Sequence, residues 1–162
     1  MPLKAQLKLP MLGIIAKVGN LESSFGYEDN SFDVWVCAEV IEHILDTDFF
    51  IEEIKRVLKP NGYLIITTPN VASFGRRILL LLGKNPFFEA SFGFPSYARA
   101  GHIRYFTKDL LINFLNTKGF KTIFFTSNVV NFNNSGYISS KICAKLFPTL
   151  GSTLIIKAQN MK

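Results

Sequence analysis

Apolar positions along this chain follow two rhythms. At Val34-Trp35-Val36-Cys37 four apolar residues run without a break, the pattern of a parallel strand buried on both faces. Further on the spacing lengthens: Phe50, Ile51, Ile54, Val57 and Leu58 recur at helical intervals. A helix is therefore predicted from near Asp46, capped by Asp46 or Thr47, with Asp48 at the positive end of its dipole. Glu52, Glu53, Lys55 and Arg56 are expected to point outward, Glu52 and Arg56 as an i,i+4 pair. Pro60-Asn61-Gly62 breaks this helix and turns the chain into a second buried strand, Tyr63 to Thr68. Strand, helix and strand joined this closely make a right-handed βαβ unit.

The same reading extends to both sides. Ile14 to Val18 reads as a short strand between Gly13 and Gly19-Asn20, and Glu28 to Ser31 as a polar turn. Beyond Pro69-Asn70 a helix is expected over Val71 to Leu82. Residues 83–106 read as a long loop rich in Phe, Gly, Pro and Tyr, either a functional cover or a disordered segment. Phe87, Phe88, Phe92, Phe94 and Tyr97 within it suit an apolar acceptor pocket, a membrane surface or plain packing on the sheet. Thr107 caps a helix to about Lys118, with Leu110, Leu111, Phe114 and Leu115 inward and Gly119 as its stop. A strand Phe120 to Thr126, a short helix from Ser139 to Phe147 and a strand Thr153 to Ala158 follow. Alternating β and α elements predict one α/β domain spanning residues 1–162.

Composition narrows the class. Hydrophobic residues make up 48% of the chain and sixteen are Phe, which builds a core rather than a disordered segment. The net charge of +6 admits anionic partners, but no basic stripe interleaves with aromatics, so nucleic acid is disfavoured. Two cysteines make no disulfide framework and lack metal-site spacing, which fits a reducing cytoplasm. The run from Arg76 to Leu82 is far short of the ~20 apolar residues a spanning helix needs. No transmembrane segment and no signal peptide are expected, whereas peripheral membrane contact stays open.

The chemistry gathers just after the first buried strand. Glu39, Glu42 and His43 follow Phe32 to Cys37 directly, and the carboxyl edge of an open α/β sheet is where ligands bind. On a helical turn, spacings of three and four would point all three side chains the same way.

Four phrases in order carry a family likeness: EDNSFDVWVCAEVIEHI, FFIEEIKRVLKPNGYLIITTPN, GHIRYFTKDLLINFLNTKGF and PTLGSTLIIKA. Together they resemble the class I S-adenosylmethionine-dependent methyltransferases, of the group acting on small molecules, quinones, lipids and glycans. The resemblance runs from about Ile14 onward and covers the later part of that family's domain. It implies a Rossmann-like sheet, rich in parallel strands with one antiparallel strand. The family's glycine-rich E/D-x-G-x-G-x-G turn and its first two strands have no counterpart here. S-adenosylmethionine is the implied cofactor, with Asn20, Leu21, Ala38 and Glu39 at the positions that would face it. Asn20 stands where the family has an Asp. Some similar members hold a divalent ion with a trio like Glu39, Glu42 and His43. Carboxylates suit Mg²⁺ and an imidazole suits Mn²⁺ or Zn²⁺, while the alternative is a structural or orienting role. His102 and Arg104 fall in the phrase that covers the family's acceptor pocket. His102 and His43 are the candidate catalytic bases, and a loop-holding role is the alternative.

Without the two earlier strands, the strand at Phe32 would lie at an exposed edge. Three outcomes are expected as alternatives: Ile14 to Val18 fills that place, a second copy or a separately encoded N-terminal half fills it, or the chain is an unstable fragment. The expected function is methyl transfer to a small molecule, lipid or glycan. The competing expectation is a non-catalytic remnant or interaction module with the same fold.

Overall fold

A computed structural model describes residues 6–9, 14–87, 101–132 and 138–162. The central sheet is formed by β3 (Phe32–Ala38), β4 (Leu58–Pro69), β8 (Thr153–Asn160) and β5 (Phe120–Ser127), side by side in that order. β3 and β4 pair in parallel, and β8 runs antiparallel to both β4 and β5. Three strands thus share one direction and one opposes them, as the sequence led us to expect. A separate antiparallel pair joins β1 (Gln6–Leu9) to β2 (Ile14–Lys17), and a small one joins β6 (Val130–Asn131) to β7 (Ser139–Ser140). The strand at Ile14 therefore takes β1 as its partner and does not move beside β3.

α1 (Thr47–Val57) starts where the pattern placed it. The Asp46 side chain accepts from the Phe49 amide at 3.0 Å, satisfying one of the orphan donors of the first turn. Phe50, Ile51, Ile54 and Val57 are all buried, so the predicted apolar face is the packed one. The outward face needs correction. Glu53 is buried, takes the Arg56 guanidinium at 2.7 Å and accepts the Phe25 amide at 3.2 Å. Arg56 also reaches Asp29, while Glu52 pairs with Lys118. The expected Glu52–Arg56 pair is replaced because Glu53 and Asp29 engage Arg56 while Lys118 meets Glu52.

α3 (Lys108–Thr117) is capped by the Thr107 hydroxyl and stopped at Gly119, which adopts φ 79°. Leu111 and Leu115 are buried, but Leu110 faces solvent, contrary to the inward face expected of it. α2 (Phe74–Leu81) is shorter than predicted, since residues 71–73 form a turn that ends at Ser73. α4 (Lys141–Leu146) has its cap at Ser140, whose oxygen accepts from the Cys143 amide. Of the loop aromatics only Phe87 lies among the described residues, its ring 4.7 Å from that of Tyr105. Phe88, Phe92, Phe94 and Tyr97 lie outside them.

β3 holds the largest departure from the sequence reading. Cys37 is buried and Trp35 half-buried, but Val34 and Val36 are 47% and 62% exposed. An apolar run predicts burial on both faces only where another layer covers each face. Among the described residues nothing covers this one. β3 stands at one edge of the four-stranded sheet, with β4 as its neighbour.

Candidate functional site

Three segments meet at the carboxyl end of β3. Glu39 leaves the strand with φ 53°, in the left-handed region, and so turns the chain sharply. A single turn of 3₁₀ helix follows, Ile41–His43. This turn is clamped from both sides. The Glu22 carboxylate accepts from the Leu45 amide at 2.6 Å, and the Ile103 and Arg104 amides donate to the Glu42 carbonyl at 2.9 and 3.2 Å. The Arg104 guanidinium then donates to the Ile44 and Leu45 carbonyls. Arg104 is thus a fastener of the site.

Glu42 lies at the centre and is 1% exposed. One carboxylate oxygen accepts from the Thr68 hydroxyl at 2.9 Å. The other, Oε1, is buried with no hydrogen-bond partner and sits 3.9 Å from His43 Nε2. A buried acceptor left this way is costly unless something arrives to meet it. The His43 and His102 rings stand edge to face, their centroids 4.8 Å apart. Glu42, His43 and His102 each offer one donor atom, and the three atoms lie within 4.8 Å of one another.

The trio read from the sequence was Glu39, Glu42 and His43, and Glu39 takes another place. Its left-handed backbone sets it ahead of the helical turn, so spacings of three and four no longer align it with the others. Its carboxylate accepts from the Thr67 hydroxyl at 2.9 Å. Burial pushes its pKa above the usual carboxylate value, against the pull of that hydrogen bond, and the Glu42 charge adds to the rise. His102 takes the third place because its own segment is stitched to the Glu42 carbonyl. Separation of some sixty residues hid this from any local pattern.

Asn20 and Leu21 border a different space. A cavity of about 530 Å³ opens beside β3, bounded by Lys17, Asn20, Leu21, Phe25, Tyr27 and Trp35. Phe25 and Trp35 stack at 5.2 Å with their planes 16° apart, giving the cavity an aromatic wall. Trp35 and Tyr27 were not singled out from the sequence. Alternation along β3, which puts Trp35 opposite Val34 and Val36, was the available signal. The Asn20 side-chain oxygen accepts from the Glu22 amide at 2.9 Å, so the amide nitrogen is the group it can offer a ligand. Ala38 and Glu39 are exposed at the end of β3, outside this cavity. Glu22 links the two places, since its backbone closes the Asn20 turn and its side chain holds Leu45.

A second junction fixes the sheet beneath. Asn70 ends β4 and is buried, its amide nitrogen donating to the Thr149 and Gly151 carbonyls at 2.9 and 2.8 Å. Its side-chain oxygen accepts from the Ala72 amide. Asn70 is structural here.

The comparisons with known proteins agree with this architecture. A family model described as a methyltransferase domain matches residues 3–66. A ubiquinone biosynthesis O-methyltransferase of Pelagibacter ubique is 44% identical over 43 residues, 26% of this chain and 18% of the relative. A protein described as a probable S-adenosylmethionine-dependent methyltransferase of Mycolicibacterium smegmatis is 43% identical over 56 residues, 35% of this chain and 21% of the relative. The matched stretch is thus about a fifth of each relative's length. The crystal structure of a SAM-dependent methyltransferase from Thermotoga maritima superposes with a TM-score of 0.61 at 20% identity, over 88% of this chain and 62% of that one.

Proposed function

We propose that this chain belongs to the class I S-adenosylmethionine-dependent methyltransferase family and contributes to methyl transfer onto an oxygen or nitrogen of a small-molecule, lipid or glycan acceptor. The observation that carries the reading is the clamped turn Ile41–His43, which ties the aromatic cavity on one side to the His102 segment on the other. A cavity of about 530 Å³ is of ligand size, and its aromatic wall and the Asn20 amide suit a purine. S-adenosylmethionine, when bound, supplies an electrophilic methyl group. Asn20 and Leu21 would hold its base end, and Ala38 and Glu39 would face its amino-acid end at the close of β3. His102 and His43, beside the buried Glu42 carboxylate, suit the removal of a proton from the acceptor. Glu42 would act as a positioning residue, favouring the imidazolium that forms. Holding acceptor and methyl donor in line supplies the larger share of the rate.

Thermal melts with and without S-adenosylhomocysteine test the reading. A ligand at a hundred times its Kd raises the melting point by roughly 5–10 °C in a domain of this size. Asn20→Leu should lose that shift. No shift at saturating ligand in the parent would favour the non-catalytic alternative for the chain on its own.

A second reading is favoured by the unpartnered Oε1 of Glu42. In it, Glu42, His43 and His102 hold a divalent cation, and two imidazoles suit Mn²⁺ or Zn²⁺ better than Mg²⁺. Titration calorimetry with Mn²⁺ should then show binding that Glu42→Ala removes. No heat in the parent would dismiss it.

A further inference from the structure

We infer that α2 and α4 together form a docking surface for an anionic lipid membrane. The proposal does not depend on the reaction assigned above. α2 buries no residue at all, though it is largely apolar. Leu81 is 81% exposed, and Ile78, Leu80 and Leu82 are exposed with it. Helical spacing sets Ile78 on the side of Leu81, with Arg77 one turn before it and Leu82 and Lys84 just beyond the helix. α4 repeats the arrangement. Ile142 is 72% exposed, Leu146 follows it one turn later, and Lys145 lies between them. Exposed large apolar residues framed by long cationic side chains are the make-up of an interfacial helix, whose cations reach the headgroups while the apolar groups enter below them.

The two helices belong to one part of the molecule. Phe74 at the start of α2 packs edge to face on Phe132, just after β6, at 5.4 Å. The Phe132 amide donates to the Ile138 carbonyl, closing the β6–β7 pair that leads straight into α4. α2 leaves the carboxyl end of β4, and α4 precedes the start of the antiparallel β8, so both emerge at the sheet edge that carries Glu42 and His102.

Charge decides the kind of partner. Ten of the twelve acidic residues lie between Glu22 and Glu53. Residues 71–87 and 128–152 contain Arg76, Arg77, Lys84, Lys141 and Lys145 and no Asp or Glu. An anionic bilayer satisfies both features of this surface at once, the cations through its headgroups and the leucines through its acyl boundary. A nucleic acid would meet the cations and leave the leucines in water. No helix among the described residues is long and apolar enough to cross a membrane, so the contact is peripheral.

Co-sedimentation with vesicles tests this, using phosphatidylcholine alone and phosphatidylcholine mixed with phosphatidylglycerol, at low and high sodium chloride. The intact chain should bind the mixed vesicles at low salt, release from them at high salt, and bind phosphatidylcholine weakly. Arg77→Gln with Lys84→Gln should lower the partition by roughly fivefold for each cation removed. Leu81→Glu with Ile142→Glu should abolish binding, while Lys59→Gln, at the far end of β4, should leave it unchanged. Circular dichroism of each variant separates lost binding from lost fold, and the charge variants decide the matter should the leucine variant misfold. Equal binding to both vesicle types, no binding to either, or binding indifferent to Arg77 and Lys84 would overturn the proposal. Retention by a short RNA duplex without retention by vesicles would overturn it too.

Discussion

β3 and β8 are written in similar residues and lead different lives. In β8 the side chains alternate strictly: Leu154, Ile156, Ala158 and Asn160 are buried, and the residues between them are half-buried. β8 has a strand on each side, and its interior face meets the helices. In β3, Cys37 alone is fully buried, and Val34 and Val36 look into solvent. One apolar strand is a structural axis, and the other is a margin beside the candidate site. The difference comes from neighbours, and it teaches that hydrophobicity reports what a strand can bury rather than what it does bury.

The sharpest way to break the comparison is truncation. Ile156→Ala should cost about 2–5 kcal/mol in urea unfolding, because a fully enclosed site cannot collapse onto the cavity. Val36→Ala should stay within about 0.5 kcal/mol, as at other exposed positions. A cost near 2 kcal/mol at Val36 would mean that the outer face of β3 is covered in solution.

The two asparagines give a smaller contrast. Asn70→Ala leaves the buried Gly151 carbonyl without its donor where β4 meets the start of β8, at about 1–3 kcal/mol for an unsatisfied group, and should destabilise by about 2 kcal/mol. Asn20→Ala, at an exposed turn, should change stability by no more than about 0.5 kcal/mol. Urea midpoints of both variants at one slope would check this.

A finer contrast lies in pH. The Arg56 hydrogen bond holds Glu53 below its ordinary carboxylate value, so its contribution is present above about pH 4.5 and is lost as pH falls through the lower folded value. Burial raises Glu39, so its effect has the opposite sign: stability is lost as pH rises from 4.5 through the higher folded value. Melts from pH 4 to 7 should therefore show Glu53→Gln losing ground to the parent as pH rises and Glu39→Gln gaining it. Parallel profiles for the two would remove the contrast.

The least effect belongs to the cysteines. Burial, and then the charge of Glu42, pushes the Cys37 thiol up to about 12, so iodoacetamide at neutral pH should spare it in the folded chain. Cys143, half-buried in α4, should be the one alkylated, as peptide mass mapping would show.

Much of the fold was legible because local rules agreed with the tertiary outcome. Asp46, Thr107 and Gly119 mark helix ends through chemistry confined to a few residues, and all three do so in the structure. The side-chain partners of α1 were not legible. Glu53 goes inward because Phe25 and Asp29 arrive from an earlier segment, and no periodicity within the helix encodes that. The candidate site divides in the same way. Glu42 and His43 were readable from their place after a strand. The replacement of Glu39 by His102 rests on a left-handed residue and on backbone bonds to a distant segment. The aromatic cavity was missed because its wall depends on which face of β3 stays open.

The central place of β8 has a consequence in time. β4 cannot take its second partner until some ninety further residues have been made, and β5 has no place in the sheet before β8 arrives. A chain emerging from the ribosome can assemble β3, α1 and β4 early, but half the sheet must wait for residues 153–160. Such distant pairing slows folding and leaves β4 and β5 with open edges meanwhile. Loss of those eight residues would leave two disconnected pieces rather than a slightly smaller sheet.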